Sequence, residues 1–243
     1  MKPFLLITTR DDDAVVLPEV RSYQKLTGLT DAEMVWHRAE AQSLDSVNVH
    51  DYSGIILAGS PFTVSEPDEK KSAVEKRVEL DLQRLLDRVL ADDIPFLGVC
   101  YGVGTLGRHQ GAVVDQTHGE PTQAAEIRLT EAGLRDRLFA ELPPSFYAYV
   151  GHKEALSSVP DHVEVLATSQ SCPIQAFRIG RNVYATQFHP EMDAPAISER
   201  IHAYVDHGYF DPARLDELLE HVNEADVRAS HLVLGRFIEE YAK

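Results

Sequence analysis

Cysteine is scarce in this chain of 243 residues: only Cys100 and Cys172. Two thiols do not build a disulfide framework, so the fold must be held by an apolar core. Basic residues are also few, 23 against 39 acidic ones, for a formal net charge of −16. That field repels phosphate, and no basic stripe offsets it, which argues against nucleic acid as a partner. Long hydrophobic runs are missing as well. Nothing approaches the ~18 to 20 apolar residues of a membrane span, and the short apolar start, MKPFLLITTRDDDAVV, breaks into charge too soon for a signal peptide. The expected location is the cytoplasm, with reduced thiols. Internal repeats and low-complexity tracts are absent too.

What is present is an ordinary globular composition, 44% hydrophobic and 26% charged, with ample length for a sizeable core. Short apolar segments at 4–8, 33–37, 53–58 and 95–100 read as strands, the first a continuous run of the kind buried on both faces. Helices are expected near 14–27, stopped by Gly28, and over 68–91. In the second, Val74, Val78, Leu82, Leu85, Leu86 and Val89 recur at helical spacing. A short helix follows to Gly111. Strand and helix alternating in this way predict an α/β fold, a mostly parallel sheet covered by helices on both faces. The second half changes texture. Strands are expected at 124–129, 145–150, 163–168, 174–179 and 182–187, with Gly180-Arg181-Asn182 linking the last two as a hairpin. The tail from about 194 reads as helical, with breaks at Gly208 to Pro212 and near Asn223. We divide the chain into a main unit, 1–193, and a helical C-terminal extension of the same domain, 194–243.

Two motifs overlap in 96-FLGVCYGVGTLG-107. Gly98 to Gly102 reads as G-x-C-x-G, the thiol form of a nucleophile elbow. Gly102 to Gly107 reads as G-x-G-x-x-G, a dinucleotide fingerprint. A dinucleotide site needs a helix of ordinary length, a second strand and an acid ~20 residues on. Here Gly111 truncates the helix, and 115-DQTHGEPTQ-123 before Glu126 is loop-like. The elbow instead needs a base, usually histidine steadied by a carboxylate. The segment 183-VYATQFHPEM-192 supplies His189 and Glu191, which an extended backbone before Pro190 would point to one side. Gly98 and Gly102 would relieve crowding around Cys100, while the helix N-terminus would favour a thiolate. The turn is assigned to sulfur.

The remaining chemistry-bearing residues are quieter. His118, His152, His162 and His189 show no compact ligand spacing, so no metal site is expected. Cys172 reads as structural. Asp115, His118 and Glu120 read as a solvated loop.

These residues together resemble the class I, triad-type glutamine amidotransferases, and most closely the glutaminase domain of GMP synthase and its stand-alone relatives. The likeness rests on 97-LGVCYG-102, 187-QFHPE-191, the turn 57-LAGSP-61 and the loop 149-YVGHKEAL-156, and runs from about residue 3 to 192. It implies a flavodoxin-like fold and a Cys100–His189–Glu191 triad that releases ammonia from glutamine, or another γ-glutamyl amide, through a glutamyl thioester. By the same likeness, backbone groups at Gly59 or Ser60 and at Tyr101 stabilise the oxyanion, and Gly151 and His152 hold the backbone end of the substrate. No metal or organic cofactor is implied. Two positions depart from the family: Ser60 replaces the second turn glycine, and Gly104 stands where the family places a substrate-binding glutamine. The missing side chain leaves space for a larger amide. Nothing in the tail resembles an ATP-binding domain, so an acceptor-activating synthetase is expected to be a separate protein. The alternatives are a homo-oligomer and a catalytically weak, partner-dependent binding module.

Overall fold

The computed structural model describes residues 2–205 and 208–242. The first half runs β1 (Phe4–Thr8), α1 (Asp13–Thr27), β2 (Met34–Arg38), β3 (Gly54–Leu57), α2 (Ala73–Ala91), β4 (Phe96–Val99) and α3 (Tyr101–His109). The second half runs β5 (Val113–Asp115), β6 (Glu120–Leu129), β7 (Ser145–His152), β8 (Ala155–Ser158), β9 (Val163–Thr168), β10 (Ala176–Ile179) and β11 (Val183–Thr186). It ends in α4 (Ala194–Ala203), α5 (Leu215–Glu224) and α6 (Arg228–Tyr241).

Nine strands form one sheet in the order β2-β1-β3-β4-β11-β10-β9-β6-β7. The pairs from β2 through β4 to β11 are parallel, and those from β11 to β7 antiparallel. The antiparallel part is extended by β6, which reaches back to Glu120 into the stretch that reads as loop. A separate two-stranded ribbon, β5 with β8, was not foreseen. Segments of three or four residues are too short to show a period.

Side-chain alternation on β1 shows why the sheet needs cover on both faces. Phe4 and Leu6 join Val16, Val20 and Tyr23 of α1 and Val233, Leu234 and Phe237 of α6. Leu5 and Ile7 join Val78, Leu82 and Leu85 of α2 and Val103 and Leu106 of α3. Burying each such side chain favours folding by ~1.5 to 3 kcal/mol. The C-terminal tail therefore supplies one wall of the main core through α6. Meanwhile α4 and α5 form a smaller cluster with Tyr149 and Met192.

Two expected details shift. Helix α2 begins at Ala73 rather than 68, because the Ser72 side chain caps it by accepting from the Glu75 N–H. Val74 consequently sits on the solvent side, 41% exposed, outside the buried stripe. The last helical break, expected near Asn223, falls at Ala225–Val227. The other expected break, Gly208 to Pro212, adjoins residues outside the described set. Among the described residues, no helix is long and apolar enough to cross a membrane.

The topology fixes where chemistry can occur. Strands β1, β3, β4 and β11 are parallel, so Arg10, Gly59, Cys100 and His189 all follow carboxyl ends on one edge of the sheet. That edge is where open α/β sheets carry their ligands.

Candidate active site

The elbow is built from the backbone outward. Cys100 follows the buried strand β4, and its N–H donates to Thr186 O of β11 at 2.7 Å. Its φ of 52° and ψ of −89° are unusual for a side-chain-bearing residue, a conformation costing ~1 to 3 kcal/mol. Gly98 makes the turn possible, since a Cβ there would lie 2.9 Å from Gly102 Cα. The converse does not hold: a Cβ on Gly102 would meet only ordinary contacts. Helix α3 starts at Tyr101, so the Tyr101 N–H is among the first-turn donors left without an intrahelical acceptor. The Tyr101 ring itself turns inward against Phe62.

His189 reaches the sulfur from β11. It is 5% exposed, its N–H donates to Tyr149 O at 2.9 Å, and its Nδ1 lies 2.7 Å from Glu191 Oε1. Cys100 adjoins the ring at the Gly59 turn. Burial works against a charge on the ring, but the Glu191 carboxylate and the Cys100 sulfur outweigh it and push His189 up to about 10. The pair does not meet along an extended strand as expected. Strand β11 ends at Thr186, His189 makes an isolated bridge to Tyr149, and Pro190-Glu191 form a turn. Gln187, which belongs to the same motif but carries no expected role, directs its Nε2 at Cys100 Sγ from 3.8 Å.

The turn after β3 closes over the sulfur. A Cβ on Gly59 would come within 3.1 Å of His189 Cε1 and 3.7 Å of Cys100 Cβ, so Gly59 permits the close approach of the two. The Ser60 hydroxyl accepts from Thr9 Oγ1 at 2.6 Å and from the Phe62 N–H at 3.0 Å, which fixes the turn.

Gly104 requires a correction. The space left by the missing side chain is narrow: a Cβ there would meet Glu154 Oε1 at 3.1 Å and Val64 Cγ2 at 3.2 Å. Glu154 is held in place by the N–H groups of Val64 and Ser65, at 2.8 and 2.7 Å. A carboxylate from the 149–156 loop thus crowds the position of the missing side chain.

His152 and Glu120 also differ from expectation. Glu120 is buried rather than solvated, and it accepts from His152, Ser169, Ser171 and Gln175. The His152 Nε2 lies 2.8 Å from Glu120, while its Nδ1 faces Glu154 O at 2.9 Å. Cys172 sits beside them, so the donor atoms of Glu120, His152 and Cys172 all lie within 4.8 Å of one another. Such a group invites a metal reading, and sequence spacing did not reveal it. Its polar atoms are already engaged, however, and burial pushes the Cys172 thiol up to about 12. The arrangement suits a brace that fixes the loop carrying Gly151 and Glu154.

A buried charge cluster completes the site, and it too was missed. Glu19 of α1 accepts from Arg10 Nε at 3.3 Å and from Arg200 Nη2 of α4 at 2.9 Å. Burial alone would raise the Glu19 carboxyl, but the two guanidiniums hold it below its ordinary value. Arg10 Nη1 donates to Tyr204 at 2.5 Å. Burial, and then the nearby Cys100 sulfur, push the Tyr209 hydroxyl up to about 12.

Two solvent-open clefts meet at Cys100. One, of about 360 Å³, is lined by Tyr101, Gly104, His152, Glu154 and Gln187. The other, of about 480 Å³, is lined by His189, Arg10, Arg200 and residues of the C-terminal region. Ser60, Gly151 and Tyr209 border both.

The fold and this edge define an α/β protein with a cysteine elbow at the carboxyl end of its parallel strands. A family model for glutamine amidotransferase class-I matches residues 20–202. The chain belongs to that family. The glutamine-hydrolyzing GMP synthase of Petrotoga mobilis is 27% identical over 149 residues, 61% of this chain and 26% of that protein. A glutamine-hydrolyzing GMP synthase subunit of Methanobrevibacter smithii is 34% identical over 101 residues, 41% of this chain and 52% of that one. The matches thus span about a quarter and about half of these relatives. Among solved structures, a glutamine amidotransferase from Thermotoga maritima superposes with a TM-score of 0.79 at 20% identity, covering 100% of this chain and 99% of the other.

Proposed function

We propose that the protein is a cysteine hydrolase that opens the γ-amide of glutamine or of another γ-glutamyl amide. One observation carries the reading: a histidine paired to a buried carboxylate at 2.7 Å adjoins a cysteine on a strained strand-to-helix turn. Cys100 Sγ attacks the amide carbon, and the oxyanion is met by the Tyr101 N–H and by the backbone of Gly59-Ser60. His189, held by Glu191, passes its proton to the departing nitrogen. The resulting glutamyl thioester is opened by water, and glutamate leaves. The test is ammonia release from glutamine by the wild type and by Cys100→Ser, together with labelling by a glutamine-like diazo-ketone and mass mapping. Unchanged activity in Cys100→Ser would overturn the mechanism.

A second reading is favoured by Glu154, which crowds Gly104, where the family places its glutamine. The protein would then be a weakly active subunit that needs a separate synthetase, as the name of the Methanobrevibacter smithii relative suggests for that protein. It predicts negligible glutaminase activity alone and a rise when the partner is added.

A further inference from the structure

The clefts on either side of Cys100 are unequal in chemistry, and the position of the acid assigns them. His189 lines the larger cleft and is not among the residues lining the smaller one. The group that protonates the leaving nitrogen must face that nitrogen. The γ-glutamyl half therefore lies in the smaller cleft and the amine half in the larger.

Ammonia does not need such a space. Ammonia, about the size of a water molecule, would touch few of the side chains that wall this open cleft. Its walls do not suit ammonia either: Met192, Ile197, Ile201, Tyr209 and Phe210 give it an apolar lining. Set into that lining are Arg10 and Arg200, which share the single carboxylate of Glu19. Among the described residues these are the guanidiniums that line the cavity, and Arg10 Nη2 lies near the Gly59 turn at the reaction centre. An apolar wall with guanidiniums set into it matches an amine that bears both a hydrophobic side chain and a carboxylate.

We propose that the larger cleft is an amine-side subsite and that the preferred substrate is a γ-glutamyl amino acid with an apolar side chain. The inference rests on the Cys100 chemistry proposed above and extends it to the leaving group. In acylation the C–S bond forms and the amide C–N bond breaks, and the nitrogen takes the His189 proton and departs as the free amino acid. In deacylation a water oxygen bonds to the carbonyl carbon and the C–S bond breaks. His189 takes up a water proton and returns it to sulfur, and glutamate leaves.

The test compares kcat/KM of the full chain for γ-glutamylphenylalanine, γ-glutamylalanine and glutamine, with the Cys100 thioester trapped and located by mass mapping. The expected order is phenylalanine over alanine over glutamine, the first exceeding the last at least ~10-fold, the scale of side-chain discrimination by an apolar pocket. Phe210→Ala should narrow the phenylalanine-to-glutamine ratio, and Arg200→Met should raise KM for both γ-glutamyl amino acids. Glutamine turned over as well as γ-glutamylphenylalanine, through a Cys100 thioester, would overturn the subsite alone. Absence of a Cys100 thioester from all three would overturn both the thiol chemistry and the subsite.

Discussion

Glu191 decides the charge on His189. The folded ring is pushed up to about 10 from an ordinary value of 6.5, against the effect of burial. Because the folded value is raised, the pair's contribution to stability is complete below about 6.5 and is lost as the pH rises through about 10. In the proposed reaction, the proton for the leaving nitrogen disappears over the same upper limit. The pH profile of kcat/KM should therefore have an alkaline limb near 10. Glu191→Gln should move that limb to lower pH and slow turnover by ~10² to 10⁴, the worth of a positioned acid–base group. Gly104 makes the second prediction at this scale. Gly104→Gln should not restore a family-like glutaminase, because its side chain must displace Glu154 from the N–H groups of Val64 and Ser65. The loss of hydrogen bonds to a charged group should cost ~1.5 to 3 kcal/mol, readable in denaturant unfolding, with ammonia release no higher than wild type.

The strand-to-helix turn between β4 and α3 is one element in which geometry and reactivity cannot be separated. A Cβ on Gly98 would press on the Gly102 backbone, which has no rotamer with which to yield. Gly98→Ala should destabilise the protein by ~1 to 3 kcal/mol, the usual cost of overpacking. It should also lower labelling of Cys100 by the diazo-ketone more than that loss of folded protein accounts for. Gly102→Ala should be milder on both counts, since its Cβ would meet Leu57 O at 3.7 Å. The pair separates two glycines that look equivalent in the G-x-C-x-G pattern.

For the whole molecule, the C-terminal tail is joined to both core and site. Phe237 of α6 is fully buried against Phe4, with ring centroids 6.1 Å apart. Phe237→Ala should cost ~3 to 5 kcal/mol in denaturant unfolding. Helix α4 has a second task, because it brings Arg200 to Glu19 and Ile197 and Ile201 to the cleft beside Cys100. Much of this architecture was legible in the residues. Continuous apolar runs marked β1 and β4, the 3.6-residue period marked α2, and the Gly-rich turn after β4 marked the elbow. Short segments were not, since β5 and β8 hold too few residues to show a period. The strand start at Glu120 was hidden because its polar residues pair with partners distant in sequence, among them His152 and Gln175.

The sequence by itself determined which residues are chemically able to act: a cysteine between glycines after an apolar strand, and a histidine two residues before a glutamate. Local pattern suffices there because a tight turn and a strand end are set by neighbours along the chain. Only the tertiary structure decided what surrounds them. Glu154 in the Gly104 space, Glu19 between Arg10 and Arg200, and the unequal clefts on either side of the sulfur all join residues far apart in the chain. Such contacts arise from the packing of helices on the sheet, which no single stretch of sequence encodes.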